Sequence, residues 1–133
     1  MAQFIGTART NYFEVQNLEQ FTSAINELPD IRIIHNGALV GLVAECPDSG
    51  MFPSFIYNES LQDYEEIDLA DIVSNHLKPS SVAIFMWAGA EKTRYVSGSA
   101  VAINSEGETQ SISLSNIYEM AKSLGDNITL AEY

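Results

Sequence analysis

Apolar side chains recur along the chain with two periods, and the switches between them mark out its elements. Residues 9–15 are rich in β-formers. Asn17 then stands in an N-cap position with Gln20 three residues on, and Leu18, Phe21, Ile25 and Leu28 form one helical stripe that Pro29 closes. The runs 31–35 and 38–44 flank Asn36-Gly37, a pair suited to the two positive φ angles of a type I′ hairpin turn. Four turn formers in 46–53 predict an irregular loop, and 55–57 a short strand. Ile67, Leu69, Ile72, Val73 and Leu77 predict a second helix capped near Asp68, with Asp71 in the first turn where the helix dipole favours an anion. The nearly continuous apolar run 82–87, a turn at 89–92 and the run 94–103 predict a long hairpin. A tight turn at 104–107, a strand at 109–114, a helix on Ile117, Met120, Ala121 and Leu124 ended by Gly125, and a short closing strand at 128–130 complete the pattern.

Hairpins rather than long crossovers join most of these strands. The expectation is therefore an α+β fold, a single domain over 1–133, with a mainly antiparallel sheet and about three helices packed on it. Residues 82–103 are either covered by the helices or leave an edge for a symmetric homodimer.

Composition narrows the function classes. With 133 residues, 46% of them hydrophobic, the chain is long enough for one real core. Six Lys+Arg against 18 Asp+Glu give a formal charge of −12, which argues against direct binding of nucleic acid, because phosphate recognition needs clustered cations. The longest apolar run, 82–90, is far shorter than a membrane span, and no signal-peptide pattern opens the chain, so a cytoplasmic protein without membrane contact is expected. The lone Cys46 excludes an intramolecular disulfide and a cysteine-rich zinc site.

The search for catalytic chemistry returns little. Nucleophile-elbow, phosphate-loop, dinucleotide and zinc-protease motifs are all missing from the sequence. Cys46 with His35 or His76 is the one thiol–imidazole combination, and a pocket near Cys46, His35 and Tyr95 is the enzyme or ligand-binding alternative. Asp63, Glu65, Glu66 and Asp68 offer oxygen ligands, but an EF-hand loop counted from Asp63 would place Asp68 where glycine is needed and Ser74 where a bidentate glutamate is needed. No metal or cofactor is expected, and the reading is non-enzymatic.

Charge distribution is more informative. No Lys or Arg stands between Arg32 and Lys78, a stretch that holds Glu45, Asp48, Glu59, Asp63, Glu65, Glu66, Asp68 and Asp71. The ordinary reading is a solvated, solubilising face. The functional one is a negative surface interleaved with Phe52, Phe55, Tyr57 and Tyr64 that docks on a basic groove, one that normally holds nucleic acid being the obvious partner, with Glu59, Asp63, Tyr64, Glu65, Glu66, Asp68 and Asp71 as the contact set.

Arg9-Thr10-Asn11-Tyr12-Phe13-x-Val15, Gly89-Ala90-Glu91-Lys92-x-Arg94-Tyr95, Ala100-x-Ala102-x-Asn104, Gly107-Glu108 and Ile117-Tyr118 together resemble a family of small acidic proteins of unknown activity encoded on phages, plasmids and integrated elements. The resemblance implies a mobile-element setting, in which such proteins counter host defences by occupying a nuclease or CRISPR complex, and it carries no catalytic residue across. The expected function is thus an acidic protein-binding inhibitor of anti-CRISPR or anti-restriction type, a mimic of the DNA that a basic groove normally holds. An antitoxin or immunity-type partner is the other binding alternative. Arg9 and Arg94 are expected to pair with carboxylates or fix strand register, and Asn11 and Asn104 to act as hydrogen-bonding hubs.

Overall fold

Two antiparallel hairpin units, stitched together along one strand, form the body of the protein. The computed structural model describes residues 4–47 and 49–133. In chain order the elements are β1 (Ile5–Thr10), α1 (Leu18–Asn26), β2 (Ile31–Asn36), β3 (Leu39–Ala44), β4 (Phe55–Asn58), β5 (Asp63–Glu66), α2 (Leu69–His76), β6 (Val82–Glu91), β7 (Tyr95–Asn104), β8 (Thr109–Ser113) and α3 (Asn116–Met120), followed by a 3-10 turn at Ala121–Ser123. Six strands make one sheet in the order β2-β3-β1-β6-β7-β8, while β4 and β5 form a ribbon of their own. Every pairing is antiparallel, so the α+β fold follows the sequence pattern. Among the described residues, no helix is long and apolar enough to cross a membrane.

Strand alternation sends one set of side chains toward α1 and α2. Phe21 and Ile25 of α1, Leu69 and Val73 of α2 and its C-cap Leu77 are buried against Val40, Leu42, Ala83 and Ile103 of the sheet, with Phe13 meeting Phe21 edge-on at 5.8 Å. Side chains of this size contribute about 1.5–3 kcal/mol each when fully buried. Both helices start as their sequences predict: the Asn17 side chain accepts from the Gln20 N–H at 3.0 Å, and Asp68 accepts from the Asp71 N–H at 3.1 Å. The buried Ser74 hydroxyl donates to the Asn104 carbonyl at 2.7 Å and ties α2 to the end of β7.

The join between the two units is where backbone pairing thins out. β1 runs beside β6 for six residue pairs, but beside β3 it keeps only Arg9↔Val43. Side chains continue the ladder. The buried Thr10 hydroxyl accepts from the Leu42 N–H at 2.8 Å and donates to the Asn11 carbonyl at 2.7 Å. The Asn11 carboxamide in turn accepts from the Ile84 N–H at 2.8 Å and donates to the Val82 carbonyl at 3.1 Å. Phe13 and Val40 then exchange two backbone hydrogen bonds as an isolated bridge.

Several boundaries differ from the sequence expectation. The first strand is Ile5–Thr10 rather than 9–15, because Asn11 replaces the ladder with its side chain and Phe13 and Val15 make only single bridges. The β2–β3 loop is Gly37–Ala38, with positive φ at Gly37 but not at Ala38; that excludes type I′ and fits a turn with glycine at its first central position. β6 continues through Gly89 to Glu91 and turns at 92–94, with Lys92 at φ 49°. Gly89 serves packing: a Cβ there would lie 2.3 Å from the Phe4 ring. β5 is an unexpected strand, residues 128–130 form none, and Glu132 makes only an isolated bridge to Tyr95.

Replacing the Thr10 hydroxyl by a methyl group keeps the volume and leaves the Leu42 N–H without its partner. Thr10→Val is expected to lower unfolding stability by about 1–3 kcal/mol, measured by urea denaturation, whereas Thr7→Val on the exposed side of the same strand should change it by less than about 0.5 kcal/mol.

Candidate functional site

The β4–β5 ribbon stands apart from the main sheet and carries most of the expected contact set. Its register pairs Phe55 with Glu66, Ile56 with Glu65, Tyr57 with Tyr64 and Asn58 with Asp63. Opposed residues share a face, so Phe55, Tyr57, Tyr64 and Glu66 line one side and Ile56, Asn58, Asp63 and Glu65 the other. The two tyrosine rings meet at 5.4 Å in an edge-to-face pair, yet Tyr64 remains 67% exposed and Phe55 59%. The two tyrosine rings are exposed but held against each other, which is how aromatic anchors present area at low entropic cost.

Asn58 builds the tip. Its carboxamide oxygen accepts from the Ser60 and Leu61 N–H groups, and its nitrogen donates to Glu65 at 3.0 Å. Gln62 closes the turn at φ 52°, and Leu61 projects with 65% exposure. At the base, the Ile67 N–H donates to the Ser54 carbonyl at 2.7 Å, and Phe52 packs edge-on against Phe85 of β6 at 5.9 Å. The ribbon thus springs from the helix-covered side of the sheet.

The expected residues divide into three groups. Tyr64 and Glu66 lie on the aromatic side, with Glu59 in the tip turn beyond it; Asp63 and Glu65 lie on the opposite side. Asp68 and Asp71 belong to the start of α2, where Asp68 is the N-cap. All seven side chains are exposed, and among the described residues none of these carboxylates is paired with a cation. Phe52 is not part of this surface, since it packs at the ribbon's base, and Asp48 lies outside the described residues. Leu61 joins this surface at the tip, and Tyr57, one of the aromatic residues interleaved with the acids in the sequence, meets Tyr64 across the ribbon.

Five of the six cationic residues have structural partners. Arg94 lies in the β6–β7 turn and meets Glu91 at 3.0 Å, Arg32 meets Glu45, Lys78 meets Glu14 at 3.4 Å and Lys122 meets Glu119 at 2.7 Å. Arg9 stacks over Tyr12 at 5.7 Å. Asn104 is a hub for its turn, accepting from the Glu106 and Glu108 N–H groups.

The thiol–imidazole alternative does not assemble around His35. His35 pairs with Val40 beside the hairpin turn, whereas Cys46 follows Ala44 at the other end, with about 13 Å of strand between Val40 and Ala44 alone. His76 ends α2 with its ring edge-on to Phe21 at 5.8 Å. Tyr95 lines a cavity of ≈ 500 Å³ with Phe4, Met51, Phe52 and Trp87, and neither Cys46 nor His35 contributes to it. No cluster of three or more His, Cys, Asp or Glu suited to a metal ion exists among the described residues.

Comparison with protein-family models, with curated proteins and with solved structures yields no match.

The two roles of the acids separate by mutation. Asp68→Ala removes the N-cap of α2 and should cost about 1 kcal/mol, seen as a lower Tm, while Glu65→Lys/Glu66→Lys on the exposed ribbon should shift stability by no more than about 0.5 kcal/mol per site.

Proposed function

We propose that this protein is a non-enzymatic inhibitor that inserts the acidic, aromatic β4–β5 ribbon into a basic, nucleic-acid-binding site of a host defence complex, in the manner of anti-CRISPR and anti-restriction proteins. The observation that carries the reading is the ribbon itself: a projecting element on which Phe55, Tyr57, Leu61 and Tyr64 are exposed beside Glu59, Asp63, Glu65 and Glu66, none of them ion-paired among the described residues. Unpaired carboxylates keep their full field for steering toward a positive groove, and the aromatic rings supply the apolar contact that slows release. A host complex that handles nucleic acid provides such a groove. The resemblance of the Arg9–Phe13 and Gly89–Tyr95 segments to proteins of mobile elements favours a defence complex over a dedicated toxin, for which an antitoxin or immunity protein would use the same kind of surface.

The test is inhibition together with capture. Wild-type protein is expected to block nucleic-acid binding by a captured CRISPR or restriction complex, with an association rate that falls as salt is raised. Glu65→Lys/Glu66→Lys should lower that rate about tenfold or more, since steering accounts for enhancements of about 10–10³. Tyr64→Ala should mainly speed dissociation. Undiminished inhibition by the charge-reversed protein would overturn the ribbon as the docking element.

A further inference from the structure

Among the described residues, no helix covers the second face of the sheet. Alternation places Thr7 and Arg9 of β1, Met86 and Ala88 of β6, Val96, Gly98 and Ala100 of β7, and Ile112 with the following Leu114 on the side away from α1 and α2. Here Met86, Val96, Ile112 and Leu114 are 57%, 66%, 69% and 54% exposed. Small residues on β7 leave a shallow trough between the larger side chains of β6 and β8, a groove of ≈ 340 Å³ with an almost wholly apolar lining. Beside it α3 has no buried residue, with Ile117 and Met120 in water.

The total surface points the same way. A folded monomer of 14.6 kDa exposes about 6,900 Å² by the scaling of area with mass, whereas this chain exposes 9150 Å². The excess, about 2,200 Å² per chain, is well above the roughly 800 Å² that each partner buries in a standard interface. The ribbon, the C-terminal residues and the open face all contribute to it, the last through Met86, Val96, Ile112 and Leu114, each more than half exposed.

Charge selects the occupant. Two chains of charge −12 repel wherever their acids stand, and the open-face positions of β1, β6, β7 and β8 hold no carboxylate, with Arg9 as their one ion. A basic partner is drawn instead to the ribbon, which springs from the other side of the sheet. We propose that a second copy of this chain covers the open face, forming a two-fold dimer in which the sheets pack face to face and the Ile112–Leu114 ridge of each copy lies along the apolar groove of the other. The ribbons then point outward, so dimerisation and docking do not compete, and the dimer stands or falls independently of the proposed inhibitory role.

Light scattering coupled to size exclusion reads this directly on the full chain. Wild type is expected at twice the single-chain mass, and Ile112→Glu at the single-chain mass with an unchanged circular dichroism spectrum. Methionine oxidation of the wild-type protein gives a reading that does not depend on a folded variant: Met86 should be protected in the dimer and become reactive on dilution to monomer. A wild type that stays monomeric overturns the proposal. So does a dimer in which Met86 oxidises as fast as in the dilute protein, because its interface then lies elsewhere.

Discussion

The hydroxyl of Thr10 and the carboxamide of Asn11 hold the sheet together at the place where its backbone ladder is weakest. On one side lies the β2–β3 hairpin; on the other, the β6–β7–β8 meander. Only Arg9↔Val43 pairs them through a regular strand position, and the Leu42 and Ile84 N–H groups turn to these two side chains instead. A buried N–H without a partner costs more than an ordinary hydrogen bond contributes, so the seam tolerates few substitutions. With the seam closed, Val40 and Leu42 stand in line with Ala83 and Ile103, and the combined surface is broad enough for both α1 and α2. Without it, neither hairpin unit alone offers such a surface.

This arrangement separates stability from the acidic surface. The buried core is apolar apart from Thr10 and Ser74, both of them hydrogen-bonded, and the described basic residues are largely occupied with salt bridges at the edges or, for Arg9, with Tyr12. Exposed ion pairs of this kind contribute little to stability. The ribbon's carboxylates therefore stand outside the core, on an element held by the Tyr57–Tyr64 pair, the Asn58 tip in which Glu65 accepts a hydrogen bond, and the bond from Ile67 to Ser54. An element that the fold does not need for its core is free to be shaped by a partner.

What could be seen in the sequence was what local chemistry decides. The Asn17 and Asp68 caps and the Phe21–Ile25 stripe depend on residues close together in the chain and stand where the sequence placed them; the 82–103 hairpin also forms, with its turn at 92–94 instead of 89–92. β5 was hidden because Asp63-Tyr64-Glu65-Glu66 has no apolar alternation; it becomes a strand only by pairing with β4 through the Asn58 tip. Gly89 looked like a turn residue, but its reason is the Phe4 ring more than eighty residues away in the chain. The acids clustered in sequence without forming one face, since the ribbon's pleat divides Glu65 from Glu66 and the start of α2 takes Asp68 and Asp71. The open sheet face was equally invisible, because strand alternation shows which residues lie together without showing which side the helices take.

The most direct test of this division between a stitched scaffold and a separable ribbon is native-state hydrogen exchange followed residue by residue. The Leu42, Ile84 and Phe13 amides are expected to exchange only through global unfolding, while amides of β4 and β5 exchange through a local opening of much lower free energy. Ribbon amides protected to the same limit as the seam would contradict that division, since the acidic element would then be part of the cooperative core.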